Sequence, residues 1–423
     1  MKECGLSRED IEVDELTWRE RQVLTLLAER LTNREIGGQL HLAESTVKDY
    51  VGNILSKLYV KNRREAVARA KALGLLEPEK TAAQPATNLP AEPTQFVGRR
   101  KELMEIKRNL RETRLLTLTG PGGIGKTRLA LKAAGELLQD FKDGTFLVAL
   151  APIHSPDQII QTIAEALKFP LATQENPQVQ LLRYLRRRQI LLVIDNFEHL
   201  LDGVEIVSEI IQSAPGVTIL STSRERLNLQ GETMLNVGGM AYPDSIDSNE
   251  FLDYDAITLF VQSARKVHQG FEPTINDLDR ISNICQMVGG MPIAIELAAA
   301  WLQILNLAEI AAELDKGLDI LTTEMRDAPE RHRSIRAIFD HSWSLLNQAE
   351  QEVFLHLSVF RGGFTRQAAA QVSDASLQVL MGLVNKSFLN HNPESGRLEV
   401  HELLRQYGQE QLDRSPDGGQ GAR

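Results

Sequence analysis

The sequence predicts a multidomain chain: an all-α helix-turn-helix module, an α/β domain with a parallel sheet, a helical domain and a winged-helix domain. Three observations predict it. A proline-rich segment at 77–95, EPEKTAAQPATNLPAEPTQ, has hardly any large apolar residue, so it cannot bury a core and reads as an extended linker. Ahead of it, short runs with helical apolar spacing follow capping signals. Behind it, apolar strands alternate with helical runs, and one strand leads into a glycine-rich loop. A length of 423 residues accommodates two to four domains at roughly 150 residues each.

Charge is split by the linker. The chain carries a net −10, yet residues 16–76 hold 11 Lys+Arg against 6 Asp+Glu, a balance of +5. A basic coat over the whole protein is excluded, and the small module is the basic part. Cys4 and Cys285 stand in unrelated contexts with no Cys-x-x-Cys pair, which argues against a disulfide framework or a cysteine-rich zinc site. The start lacks the apolar stretch of a leader peptide. The longest apolar run, 293–305, carries Glu296 and is short of the ~20 residues of a membrane span. The expectation is a soluble cytoplasmic protein with no membrane partner.

In the small module, Thr17 precedes Glu20 and Thr32 precedes Glu35, two capping boxes at helix starts. A tight connection at His41-Leu42-Ala43 leads to a third helix with Val47, Val51, Ile54, Leu55 and Leu58 on one face. Its other face shows Thr46, Lys48, Asn53 and Lys57, with Lys61, Arg63 and Arg64 following. Two short helices about a tight turn, the second basic, have the geometry that enters a major groove. A three-helix bundle with a solvated polar face fits the same pattern.

Residues 16–70 closely resemble the LuxR-type helix-turn-helix of bacterial response regulators. The resemblance implies double-stranded DNA as partner, with Thr46, Lys48, Asn53, Lys57 and Arg63 at the DNA. Three positions depart from the family pattern. Ala43 replaces the usual Ser cap, at a cost of about 1 kcal/mol. Asp49 brings a negative charge to that face, and Gly52 removes a side chain that such domains often use.

After the linker, the strand Leu115–Thr119 runs into Gly120-Pro121-Gly122-Gly123-Ile124-Gly125-Lys126-Thr127 and then an apolar helix from Arg128. This is G-x-x-x-x-G-K-[ST] in a strand–loop–helix context. Glycines turn backbone N–H groups towards phosphates, Lys126 neutralises β/γ charge, and Thr127 ligates Mg²⁺. ATP or ADP with Mg²⁺ is the expected ligand. A second apolar strand, 190–194, ends in Asp195, the expected metal carboxylate. A third, 217–220, leads to Ser221-Thr222-Ser223-Arg224, where Arg224 can reach a γ-phosphate. Asn196, not an acid, follows Asp195. Glu198 is near in sequence but is expected on another side of the turn.

Phe96-Val97-Gly98-Arg99, LLVIDNFEHL at 191–200, STSRERL at 221–227, GGMPIAIELAAA at 289–300 and Val400-His401-Glu402 together resemble the NB-ARC ATPases of the STAND class. The whole chain is similar to a bacterial STAND transcriptional regulator. The resemblance implies that Val97 and Arg99 flank adenine and that Pro292 packs on it. It also implies that Gly122, Gly123, Ile124, Gly125, Lys126, Thr127 and Arg128 cradle the phosphates, and that Lys126, Asp195 and Arg224 serve any hydrolysis. His401 would hold the β-phosphate of ADP and lock a closed state. Arg100, Val400 and Glu402 depart from the family motifs. A zinc reading of His401-Glu402 fails because position 405 is Arg.

The expected domains are the helix-turn-helix at 1–76, linker at 77–95, nucleotide-binding domain at 96–243, helical domain at 244–330, winged helix at 331–412 and disordered tail at 413–423. Helical spacing runs through Ile281, Ile284, Val288 and Ile295. Further helices lie around 343–346 and 353–360, with a hairpin between 388–389 and 398–400. The expected function is an ADP-off, ATP-on switch of transcription that self-associates with ATP, hydrolyses slowly at most, and takes its signal either from a sensor domain that is missing or truncated here or from a sensor protein in trans. A turnover ATPase, and a switch whose N-terminal helices recruit protein, stay open.

Overall fold

The computed structural model describes residues 16–28, 31–40, 42–72, 85–92, 94–243, 253–323, 333–393 and 395–414. The segment before 16, residues 77–84 of the expected linker, the boundaries expected near 244 and 330, and the tail from 415 lie outside them. The chain divides into two compact units, Met1–Gln84 and Pro85–Arg423.

The first unit holds helices α1 (Trp18–Ala28), α2 (Asn33–Leu40), α3 (Glu44–Lys57) and α4 (Arg63–Ala72). Both capping boxes form: Thr17 N–H donates to Glu20 at 2.7 Å, and Thr32 N–H to Glu35 at 2.7 Å. Ala43 caps α3 with extended backbone and no side-chain bond, as its sequence implies. Val23, Leu24, Ile36, Val47, Ile54 and Leu58 are fully buried. The turn packs so closely on α2 that a Cβ on Gly37 would meet the Leu42 carbonyl at 2.7 Å. Helix α4 is absent from the sequence reading; it buries only Ala66 and Ala70 completely, too small an apolar signal to stand out.

The second unit begins with α5 (Arg100–Glu112), β1 (Leu115–Thr119), α6 (Lys126–Glu136) and β2 (Gly144–Ala149). It continues through α7 (Ile159–Ala166), α8 (Pro177–Leu185), β3 (Ile190–Asp195), α9 (Glu205–Ser213), β4 (Val217–Thr222) and β5 (Thr233–Asn236). These five strands form a parallel sheet in the order β2-β3-β4-β1-β5. Helix α6 starts at Lys126, two residues earlier than the sequence suggests. Alternate residues of β3 face opposite cores: Leu191 and Val193 pack on one side, Ile190, Leu192 and Ile194 on the other. Burial on both faces is why the strand reads as one apolar run. Because all strands run the same way, the loops after β1, β3 and β4 meet at one edge of the sheet.

The proline-rich segment is a free linker only in part. Thr145 N–H donates to the Ala86 carbonyl at 3.0 Å, and Thr87 bridges Thr145. The Asn88 amide accepts from Leu147 N–H at 2.6 Å and donates to its carbonyl at 2.9 Å. Residues 86–88 thus cover the open edge of β2, whose unpaired amides would otherwise invite pairing with another chain. Proline and polar residues suit such an edge as well as they suit a coil, so composition could not separate the two.

Helices α10 (Asp255–Val267), α11 (Ile275–Met287), α12 (Pro292–Ala300) and α13 (Leu307–Lys316) form the helical region. Ile281, Ile284, Val288 and Ile295 are all fully buried there. Then come α14 (Ile335–Trp343), α15 (Gln348–Leu357), α16 (Arg366–Ser373), α17 (Leu377–Asn385), the antiparallel hairpin of β6 (Asn390–Asn392) and β7 (Arg397–Glu399), and α18 (Glu402–Arg414). Phe388 and Leu389 precede the hairpin and are buried in the core. Trp343 packs edge-to-face on Phe354 and Tyr407 at 6.2 and 6.0 Å. Tyr407 donates to Asp340 at 2.6 Å. These helices share one apolar core with one face of the sheet.

Candidate nucleotide-binding site

The loop between β1 and α6 has the conformation that phosphate binding requires. Gly120, Gly123 and Gly125 take φ of +146, +80 and +95°, open to glycine and strained for other residues. Lys126 donates to the carbonyls of Gly120 at 2.7 Å and Pro121 at 3.1 Å. Burial pushes its ammonium down to about 8 from its usual 10.5; Glu198 and Asp195 resist the fall and Arg224 adds to it. A phosphate would supply the missing negative charge.

Asp195 ends β3, 9% exposed, and its Oδ1 accepts from Thr127 and from Thr222, each at 2.6 Å. A hydroxyl and a carboxylate, both hard oxygen donors, meet at the start of α6; this set fits Mg²⁺ beside a phosphate chain. Thr222 also accepts from Asn196 N–H at 3.0 Å. The sequence reading passed over Thr222, although a hydroxyl ending the strand next to the Asp195 strand was a usable signal.

An apolar pocket beside the loop is lined by Phe96, Val97, Arg99, Ile124, Gly125, Arg128, Met240, Leu259 and Pro292. Val97, Arg99 and Pro292, far apart in sequence, are thereby brought together. Arg99 is buried, with φ of +59°, and donates to the Ile124 carbonyl at 3.1 Å. Its backbone N–H donates to Asp255 at the start of α10 at 2.8 Å. The turn closes so tightly that a Cβ on Gly98 would lie 2.0 Å from the Asp255 carboxyl carbon. Asp255 was not foreseen; an acid in the first turn of a helix is too common to single out.

Arg224, 8% exposed, lies beside the loop: its guanidinium is about 3.0 Å from where a Cβ on Gly122 would be. It donates to Glu198 at 3.1 Å, to the Ile338 carbonyl at 3.2 Å and to the Ser342 hydroxyl. Ile338 and Ser342 belong to α14. The Ile338 side chain covers Gly122, and Ile293 of α12 covers Gly123. Glu198 is 5% exposed and faces this site, which corrects the expectation that it lies on another side of the turn. Asn196 takes a left-handed φ of +68°, and that reversal, invisible in composition, swings Glu198 inward.

His401 packs its ring on Gly289, where a Cβ would come within 2.7 Å, and shares a 3.2 Å hydrogen bond with the Gly289 carbonyl through Nε2. Burial pushes the ring down to about 4, against the opposing influence of that carbonyl and of Glu402, so the imidazole is neutral at pH 7. Its Nδ1 is buried without a hydrogen-bond partner among the described residues. The structure thus brings His401 to the glycine pair that precedes Pro292.

The profile of the bacterial regulatory proteins of the luxR family matches residues 14–70, and that of an AAA domain matches residues 108–234. A Mycobacterium tuberculosis protein named as an HTH-type transcriptional regulator is 35% identical over 324 residues, 74% of this chain and 35% of its own length. An uncharacterised protein of the same organism is 33% identical over 333 residues, 76% of this chain and 82% of its own length. The chain belongs to one family with that uncharacterised protein, and it carries a LuxR-type helix-turn-helix followed by an AAA-type P-loop domain. It spans about a third of the length of the first of these curated relatives. The Walker-type ATPase of Pyrococcus abyssi shares the fold, with 11% identity, a TM-score of 0.51, and coverage of 74% of this chain and 95% of that one. Among the described residues no helix is long and apolar enough to cross a membrane.

The LuxR-type module keeps only part of the expected basic face free. Lys48, Asp49 and Asn53 are exposed and Thr46 is half-buried. Lys57 is bound to Glu20 at 2.9 Å, and Arg63 donates to Asn33 at 2.6 Å. Those two side chains brace the bundle, which helical spacing alone could not reveal. Space in front of Gly52 is open. Burial works to raise the Glu20 carboxyl, but Lys57 and Thr17 outweigh it and hold it below its usual 4.5. A depressed carboxylate stabilises above its unfolded value and ceases to do so as pH falls through its folded one. The module should therefore loosen below about pH 4.5. Lys57→Ala should cost it about 1 kcal/mol by removing the cation from Glu20, which keeps its bond from Thr17 N–H. Hydrogen exchange of the α1 and α3 amides in the intact chain measures both; unchanged protection in the variant removes the bracing role.

Proposed function

We propose that this STAND-class protein is a nucleotide-operated switch of transcription, closed with ADP, open and self-associating with ATP, and acting on double-stranded DNA through its LuxR-type module. One observation carries the reading. Arg224, buried beside the phosphate loop, is bound by Ile338 and Ser342 of α14, so the nucleotide site and the winged-helix region share one side chain. A γ-phosphate would compete for that guanidinium and would occupy space near the Ile338 side chain. ATP and the closed arrangement then exclude one another, whereas ADP fits both. A ligand shifts such an equilibrium only by its different affinity for the two states.

In this reading adenine sits in the pocket of Val97, Arg99 and Pro292, and Gly122, Gly123, Ile124, Gly125, Lys126, Thr127 and Arg128 hold the phosphates. Thr127 and Asp195 would hold Mg²⁺, which supplies charge neutralisation when bound. His401 donates from Nε2 to Gly289 when neutral, leaving Nδ1 an acceptor. Bonding to a phosphate of ADP would need a second proton on the ring, so phosphate binding raises its pKa.

ADP should co-purify with the protein and leave on denaturation, as mass spectrometry would detect. His401→Ala should retain less ADP, by roughly 10-fold for one lost hydrogen bond to a charged group. On gel filtration with ATP it should run larger than the wild type. A wild type free of adenine nucleotide, with a variant that elutes unchanged, would remove the support for the switch.

A further inference from the structure

The STAND resemblance leaves hydrolysis without an obvious base, because Asn196 follows Asp195. The structure supplies a different carboxylate. Phe197–His199 form a single turn of 3₁₀ helix after the left-handed Asn196, with Phe197 fully buried behind it. The turn is pinned by His199, which bonds the Ile153 carbonyl at 2.9 Å. Glu198 therefore points into the site, with 3% of its side chain exposed. Its Oε1 accepts from Arg224 at 3.1 Å, and its Oε2 is buried with no hydrogen-bond partner among the described residues. Buried acceptors are almost always satisfied, so a bare carboxylate oxygen beside a phosphate loop marks a place for something absent. Glu198 is also the acid that acts most strongly on Lys126, which puts it within electrostatic range of the phosphates.

We infer that Glu198 is the general base that takes the proton from the water attacking the γ-phosphate of ATP. This rests on the switch reading above and deepens it. The water oxygen bonds to the γ-phosphorus as its proton passes to Glu198 Oε2. The bond between that phosphorus and the bridging oxygen breaks, and its electron pair leaves with ADP. Glu198 then returns the proton to solvent, and the products are ADP and inorganic phosphate. In the closed state α14 holds Arg224 and the Ile338 side chain covers Gly122, so a γ-phosphate reaches Glu198 only after α14 has withdrawn, and the protein cannot consume ATP before it has switched.

The test is single-turnover hydrolysis of ATP by the full chain, with binding of a non-hydrolysable ATP analogue measured alongside. Glu198→Gln keeps an oxygen for Arg224 but cannot take a proton. It should bind the analogue within about threefold of wild type and hydrolyse about 10²–10⁴-fold more slowly. As purified it should contain ATP where wild type contains ADP. Glu198→Asp, which keeps the charge but withdraws it by one methylene, should bind normally and hydrolyse at least tenfold more slowly. Wild-type rates in either variant overturn the assignment. Loss of analogue binding together with hydrolysis also overturns it, leaving Glu198 a brace for Arg224. Failure of the wild type itself to bind the analogue counts against the switch reading and is distinguished by that arm.

Discussion

Lys126→Ala should abolish nucleotide binding by the P-loop core, with a loss of at least about 10²-fold in affinity for ADP and ATP alike. Lys126 is the cation of the loop, and its ammonium at present satisfies itself on the carbonyls of Gly120 and Pro121. On binding it would exchange these for phosphate oxygens, and two charge-assisted bonds at about 1.5–3 kcal/mol each account for the loss. A ligand present at 100 times its Kd stabilises the folded state by about 2.7 kcal/mol, so the variant purified with no bound ADP should melt several degrees lower. Protein stripped of nucleotide should behave oppositely. Burial holds the Lys126 ammonium at about 8 against its usual 10.5, so carrying that charge costs the empty fold stability. The unfolded chain binds the extra proton between those values, and stability therefore rises with pH across that window. In the alanine variant the rise should vanish, and the stripped variant should be no less stable than stripped wild type. Nucleotide affinity of the wild type should weaken over the same window, as the lysine loses its proton. Calorimetry of stripped and loaded protein from pH 7 to 10 checks all of this; an alanine variant that still binds ADP would displace Lys126 from the site.

DNA affinity should differ by about 10²–10⁴-fold between the ADP and ATP states. The LuxR-type module offers a modest contact surface: on α3, Lys48 is exposed while Lys57 is spent on Glu20, and Asp49 faces solvent close by. One module should bind near the non-specific range of ~10⁻⁴–10⁻⁶ M. Self-association in the ATP state would tether several modules at effective concentrations up to the millimolar range, and avidity then multiplies affinity with no new contact. Lys48→Ala should weaken binding in both states, and Asp49→Asn should strengthen non-specific binding in both. Fluorescence anisotropy on duplex DNA at fixed salt, with ADP and then a non-hydrolysable ATP analogue, is the measurement. Equal affinity in both states would sink the coupling. No binding in either would favour protein recruitment by these helices, a reading to which the internal engagement of Lys57 and Arg63 already lends weight.

Much of this protein was legible in its residues because the deciding interactions are local. A capping box lies within one helical turn, so Thr17–Glu20 and Thr32–Glu35 announced their helices. The glycines of the phosphate loop announce themselves because only they take its φ values without strain. Asp195 was legible as the end of a strand buried on both faces. The family motifs picked out Val97, Arg99 and Pro292, and the fold gathers them around one cavity.

Other features depended on partners distant in sequence, and those the tertiary structure decided. Strand β2 carries its apolar residues on a sheet edge that is completed by residues 86–88, which composition reads as coil. Lys57 looks like a phosphate contact until Glu20, 37 residues earlier, is seen to claim it. Arg224 reads as a sensor, but that α14 holds it through Ser342, 118 residues on, is a fact of packing alone. Glu198 is the sharpest instance. Three residues from Asp195, it faces the phosphate loop only because Asn196 adopts a left-handed conformation and Phe197 fills the core behind it. Spacing and composition encode what a turn or strand can do by itself. Which charges meet is decided by packing, because a charge on a helix or loop takes whichever partner the fold brings within hydrogen-bond reach.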